Sequence, residues 1–424
     1  MKDLHELTAT EAVRAISDGT LTSEALVTAC LNRIAAREPQ AGAWEYLDAE
    51  QALAQARARD RSAARGVLHG VPIGIKDIID TSDMPTCYGS PIYAGHRTRW
   101  DAACVALLRA AGAIILGKTV TTEFAMFTPG KTANPHNLAH TPGGSSSGSA
   151  AAVADGMVPL ALGSQTAGSI IRPASFCGVV GYKPTHGQFS VAGIKALSQT
   201  LDTLGGFARR VEDLTLLRAA FVGGPRHLSA LERPPRIGLC RTPQWPEATA
   251  GMRTALETAG QRLAVAGAEV RDLALPADFD GLAAAQETIQ IFEGARCCAY
   301  ELTMHRALLS QKLLDLLAPA EHLSYATYAE ALTLANTCRR HLQAVFNDHD
   351  VLLVPSAPGE APVGLHATGN PLFNRMWTLL HTPAVSLPGL VGAHGLPIGV
   401  QVIGPVGMDD RLLAIAAWMQ ARLV

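Results

Sequence analysis

The stretch Gly112-Ala-Ile-Ile-Leu-Gly117-Lys118-Thr119 decides how this chain is read. As a written pattern it is G-x-x-x-x-G-K-T, the phosphate loop of nucleotide-binding proteins. Such a loop runs strand, glycine-rich turn, helix, and turns its backbone N–H groups toward a phosphate. Here the four middle residues are Ala-Ile-Ile-Leu, which favour a strand themselves. Residues 101–111 just before them read as a helix, so the order is inverted. The pattern therefore predicts a buried strand at 113–116, and a P-loop-like nucleotide-binding protein becomes the minor reading.

Outward from that strand the texture changes by region. Thr8-Ala9-Thr10-Glu11 has capping-box spacing ahead of Val13 and Ile16. Ser23 precedes an apolar stripe of Leu26, Val27, Cys30, Leu31 and Ile34, and residues 48–65 are rich in Ala and Arg. Residues 1–65 are thus expected to be helical. Strands are expected at 66–75, 237–240, 269–275, 351–355, 384–387 and 398–403. A small-residue helix is expected from Ser149, and residues 280–346 read as mostly helical. Alternating strands and helices predict an α/β fold with a helix-covered sheet. Residues 223–235 are the most linker-like, yet strands resume after them. The expectation is one domain over 1–424: N-terminal helices (1–65), a catalytic core (66–210), a variable helix-rich region (211–345) and strands completing the sheet (346–424).

Composition narrows the classes. Of 424 residues 48% are hydrophobic and 17% charged, with a net charge of −2, which suits a large core and no polyanion-binding surface. No nucleic-acid or membrane partner is expected. The opening MKDLHELTATEAV lacks the apolar centre of a secretory leader, and no apolar run is long enough to span a bilayer. Eight cysteines without a C-x-x-C pair point to reduced thiols and a cytoplasmic setting. His136 and His140 are four apart, but Pro135 and Pro142 flank them and no Glu accompanies them. They read as loop histidines, and no metal is expected.

Three segments carry chemistry. Lys76 follows the apolar run ending Val-Pro-Ile-Gly-Ile, in a chain with only seven lysines among 35 basic residues. Lysine, unlike arginine, can lose its proton when buried. Lys76 is either a neutral base or a strand-end lysine paired with Asp77 or Asp80. Gly143-Gly-Ser-Ser-Ser-Gly-Ser149 contains G-x-S-x-G, which would make Ser146 a nucleophile on a strand-to-helix elbow. The preceding residues, ANPHNLAHTP, are a polar, proline-broken loop where that elbow needs a strand. Gly163-Ser-Gln-Thr-Ala-Gly-Ser-Ile-Ile-Arg-Pro-Ala174 has the small residues that let N–H groups converge on one point. Arg172 at its end is either a bidentate carboxylate ligand or half of a structural ion pair.

Taken together, Lys76, the GGSSSGS loop and Ser169 resemble the amidase signature family. The likeness includes Gly74–Asp77, residues 112–124, 141–152 and 162–174, Gly181-Tyr-Lys-Pro-Thr185, and residues 350–355 and 395–401. It implies a central mixed sheet of about eleven strands, twisted and flanked by helices on both faces, and a Ser–cis-Ser–Lys site needing no cofactor. The family's lysine falls on Lys76, its cis-serine on Ser145 and its nucleophile on Ser169. Ser146 becomes a hydrogen-bonding neighbour. On this reading Ser169 attacks an amide carbonyl, Ser145 passes the proton to Lys76, and N–H groups among Thr166, Ala167, Gly168 and Ser169 form the oxyanion hole. Ala167 stands where the family usually has glycine. Arg172 lies three residues after the nucleophile rather than two, an arrangement similar to the compact bacterial malonamidase branch, where this arginine binds a substrate carboxylate. The expected activity is hydrolysis of a small, carboxylate-bearing, malonamate-like carboxamide through acyl-Ser169. The alternative is a glutaminase-type A subunit of a tRNA-dependent amidotransferase. The resemblance also admits a homodimer.

Overall fold

Val351-Leu352-Leu353-Val354 is apolar at every position, the mark of a strand covered on both sides. A computed structural model, which describes residues 3–63 and 66–424, shows the covering. Val351 and Leu353 join the core beneath the helices Ala250–Val265 and Asp409–Leu423. Leu352 and Val354 join a second core with the helices Leu282–Cys297, Tyr325–Asp348 and Leu372–Leu379.

Among the described residues the sheet has eleven strands: β1 (Trp44–Leu47), β2 (Pro72–Lys76), β3 (Ile114–Thr119), β4 (Leu160–Gln165), β5 (Val180–Lys183), β6 (Thr203–Ala208), β7 (Arg236–Cys240), β8 (Glu269–Leu273), β9 (Val351–Pro355), β10 (Ala384–Val391) and β11 (Pro397–Ile403). Their order is β1-β3-β2-β4-β6-β5-β10-β11-β9-β7-β8. The pairs β2/β3, β2/β4, β7/β8 and β7/β9 are parallel and the others antiparallel, so the sheet is mixed. Strands from both sides of the linker-like residues 223–235 lie in this one sheet. The architecture is the mixed α/β sheet with helices on both faces expected from the resemblance.

The deciding stretch is a strand. Ile114–Thr119 is fully buried β3, preceded by the helix Ala103–Ala110. Lys118, which a phosphate loop would aim at phosphate, instead lies 2.9 Å from the Asp77 carboxylate and also reaches Thr86. The capping box at Thr8 and Glu11 forms as the spacing predicts.

Four strands escape the sequence patterns: β1, β4, β5 and β6. Residues 1–65 are expected to be helical throughout, but Trp-Glu-Tyr-Leu at 44–47 forms edge strand β1 between two helices. It pairs with β3, and four residues are too few to show a period of two. β5 is equally short. β6 is Thr-Leu-Gly-Gly-Phe-Ala, and paired glycines weaken a strand signal. A Cβ on Gly205 would lie 2.1 Å from the Tyr182 carbonyl oxygen, so the close approach of β5 requires glycine. The run at 66–75 becomes a strand only from Pro72.

Candidate active site

Strand register brings the site together. β2 and β4 run parallel with Gly74 opposite Ala161, and β4 and β6 run antiparallel with Gln165 opposite Thr203. The C-terminal ends of β2 and β4 and the start of β6 therefore meet at one end of the sheet. Carboxyl ends of parallel strands are where α/β folds commonly place their sites. Lys76, Ser164 and Asp202 all sit at this end.

Lys76 is fully buried, and its Nζ hydrogen-bonds Ser145 Oγ at 2.6 Å and Ser164 Oγ at 2.9 Å. Both acids considered as its partners are engaged elsewhere. Asp77 pairs with Lys118, and Asp80 accepts a hydrogen bond from the Tyr88 hydroxyl at 2.7 Å. Among the described residues no carboxylate lies within ion-pair distance of Lys76. Burial holds its ammonium pKa well below the ordinary lysine value, opposed by the more distant charge of Asp202.

The serines of GGSSSGS have separate partners. Ser145 meets Lys76, and the Gly144–Ser145 peptide is cis. Ser146 Oγ donates to the Ser164 carbonyl and accepts from its N–H, fastening the loop to β4. Ser147 Oγ donates to the Val120 carbonyl, and Ser149 Oγ to the Leu162 carbonyl. Among the described residues only the Ser145 hydroxyl of the four meets a base. The loop runs into the buried helix Ser147–Ala154, whose side chains are small enough to lie against β2, β3 and β4.

After β4 comes the turn 166–169. Its carbonyls are held from outside: Thr166 by Gln286 Nε2 at 2.9 Å, Ala167 by Thr378 Oγ1 at 2.8 Å, and Gly168 by the Arg172 N–H at 3.0 Å. Gln165 anchors the base of the turn by accepting from the N–H groups of Ile170 and Ile171. Among the described residues the N–H groups of Thr166, Ala167, Gly168 and Ser169 donate no hydrogen bond. With its carbonyls turned out and held, the turn presents free donors on its other side, which is what an oxyanion needs. Ala167 is not in the left-handed region, so its Cβ brings no backbone strain. Gly168 is required sterically, since a Cβ there would lie 2.3 Å from Asn374 Oδ1.

Ser169 follows directly, nearly buried, with no hydrogen bond between its hydroxyl and the described residues. Arg172 is buried, and among the described residues no acid pairs with it. Its Nη1 donates to the Gly369 carbonyl at 2.7 Å, and its Nη2 donates to the Gly144 carbonyl at 2.5 Å and to Thr368 Oγ1 at 3.3 Å. Its Nε has no partner among the described residues. Burial, with the nearby charge of Arg375, pushes its pKa down to about 9. The structural ion pair considered from sequence is thus absent among the described residues. His136 and His140 each hydrogen-bond a backbone carbonyl, of Cys177 and Ala361.

A buried lysine on a serine hydroxyl, beside a turn of free N–H groups, can serve acyl transfer in an α/β enzyme. The amidase family profile matches residues 25–413. The A subunit of glutamyl-tRNA(Gln) amidotransferase from Roseiflexus sp. (strain RS-1) is 35% identical over 473 residues, covering 97% of this chain and 95% of the relative. A crystal structure of an amidase superposes with TM-score 0.90 at 30% identity, covering 99% of this chain and 100% of that one. A chain of a vestigial protein complex that reveals the evolutionary origins of an s-triazine catabolic enzyme gives TM-score 0.89 at 29% identity, over 99% and 100%. The chain belongs to the amidase signature family and is an amidohydrolase acting on C–N bonds.

Sequence reasoning missed Ser164, Asp202, Gln286 and Thr378. Ser164 lies inside a quoted motif, where the two-residue alternation of β4 could have put it beside Ser146. The others reach the site through pairing and packing that no local pattern records.

Proposed function

We propose that Ser169 is the nucleophile of an amide hydrolysis in which Ser145 relays its proton to Lys76. The Ser169 oxygen bonds to the acyl carbon, and the carbonyl becomes an oxyanion facing the N–H groups of residues 166–169. A serine hydroxyl suits the middle of the relay because it donates and accepts at once. Collapse of the oxyanion breaks the C–N bond, and the relay returns the proton to the leaving nitrogen. Water then releases the acyl group by the same route. The observation carrying this reading is the 2.6 Å contact between a fully buried lysine and Ser145.

Two acyl donors fit. The relatives support a glutaminase-type reading, since their shared name makes them A subunits of an enzyme acting on glutamyl-tRNA(Gln). That name also runs against the expectation of no nucleic-acid partner, and partner subunits and a tRNA enter the reading with it. Arg172 supports the malonamate-like alternative, because a buried guanidinium without an acid suits a substrate carboxylate. Glutamine and malonamate both carry one. Ammonia release across glutamine, malonamate and neutral amides tests this. Faster turnover of the carboxylated amides, lost in Arg172→Ala, is expected. Equal rates for both groups in that variant and in wild type would exclude Arg172 as the carboxylate ligand. Glutamine turnover that needs added partner subunits favours the amidotransferase reading.

A further inference from the structure

The relay described above leaves one charge unanswered. When Ser169 gives up its proton, Lys76 becomes an ammonium in a fully buried place, with only the hydroxyls of Ser145 and Ser164 on it among the described residues. A buried charge without a counter-charge is strongly unfavourable. The groups packed around Lys76 offer few candidates. On the β3 side Asp77 and Lys118 neutralise each other at 2.9 Å. The GGSSSGS loop and β4 bring only hydroxyls. At the start of β6 stands Asp202, one residue before Thr203, which pairs with Gln165, the neighbour of Ser164.

Asp202 is built into the same end of the sheet. Its Oδ1 accepts from Thr166 Oγ1 at 2.6 Å, and its Oδ2 accepts from the N–H groups of Leu197 and Ser198 at 2.8 and 2.9 Å. No cation pairs with it among the described residues. The charged group facing it from the helix Leu282–Cys297 is Glu293, which holds the Ser198 hydroxyl. We propose that Asp202 is the counter-charge for the proton that Lys76 takes from Ser169, while its bond to Thr166 fixes the start of the oxyanion turn. This rests on the Ser169–Ser145–Lys76 reading. Asp202 acts through Lys76 and Thr166 and is a positioning residue. Burial pushes the Asp202 carboxyl up, opposed by the hydrogen bonds from Thr166, Ser198 and Leu197, and in its ionised form its field has the sign needed to favour a protonated Lys76.

The test needs no knowledge of the natural amide. An alkyl fluorophosphonate forms an O–P bond to a nucleophilic serine and expels fluoride, and the serine proton goes to the base. Its rate of labelling, followed by intact mass against pH, reports when that base is neutral. Asp202→Asn keeps the shape and removes the charge. Lys76 should then stay neutral to lower pH, so the acidic limb should move down by about one pH unit. Asp202→Glu keeps the charge and should leave the limb in place while slowing labelling, and Asp202→Ser, which also removes the charge, carries the test if the Asn variant does not fold. A limb that stays put in Asp202→Asn, or shifts equally in Asp202→Glu, overturns the counter-charge role and leaves the relay standing. Unaltered labelling with the same limb in Lys76→Ala overturns the relay, and the proposal with it.

Discussion

Lys76 works against the fold that houses it. Its depressed pKa means that, below the ordinary lysine value, folding must strip a proton that the unfolded chain would keep. Stability is therefore reduced at neutral pH and recovers as pH rises toward about 10. Lys76→Met should melt higher than wild type near pH 6 by about 1 kcal/mol, with the difference shrinking at high pH, and should be inactive. Thermal melts at several pH values check this. Gly168→Ala should fail in another way. Its Cβ would lie 2.3 Å from Asn374 Oδ1 and 2.9 Å from a Pro371 carbon, both on a buried wall. Overpacking of about 1–3 kcal/mol is expected, with a larger loss in kcat than in KM because the oxyanion donors shift. At this scale much is readable in advance. The segments bearing Lys76, Ser145 and Ser169 carry local motifs, and the structure gathers the first two at one contact. Asp202 is not readable, because an aspartate before a glycine-weakened strand looks like any turn residue.

The helix Leu282–Cys297 shows what the motifs leave out. It lies in the least diagnostic part of the sequence, yet Gln286, Gln290 and Glu293 recur at spacings of four and three and share one face. That face points inward. Gln286 donates to the Thr166 carbonyl and to Gln290, and accepts from Arg375. The helix is thus a brace on the proposed oxyanion turn. Gln286→Leu should release the Thr166 carbonyl and lower kcat about tenfold, with KM less affected. A change in KM alone would mean that the helix shapes the pocket without holding the turn. Helical periodicity foretells the element, but only packing reveals that its polar stripe is buried.

At the scale of the molecule, the sheet depends on ties between distant segments. Asp350, just before β9, gathers Arg233 from the linker-like stretch, Arg236 of β7 and Arg411 of the last helix. Burial would raise its pKa, but the Arg236 N–H and the Arg233 and Arg236 guanidinium groups outweigh it and hold it at about 2. A depressed carboxylate stabilises the fold above its unfolded pKa, and that contribution is lost as pH falls from about 4 through about 2. Asp350→Asn should cost about 1–2 kcal/mol at pH 7, since its partners are half exposed, and should flatten the acid limb of stability. Denaturant melts at pH 7 and pH 3 measure it. The α/β alternation and the family likeness make this architecture legible. Strand order is not, because adjacency in a mixed sheet depends on long-range pairing.

The central claim is that the attacking oxygen belongs to Ser169 and not to a serine of the GGSSSGS loop. Rapid quenching of the amide turned over fastest, followed by intact mass and peptide mapping, tests it directly. The account predicts an acyl increment on the peptide bearing Ser169, absent in Ser169→Ala and retained in Ser146→Ala. An increment that survives in Ser169→Ala, or that maps to residues 143–149, would contradict it.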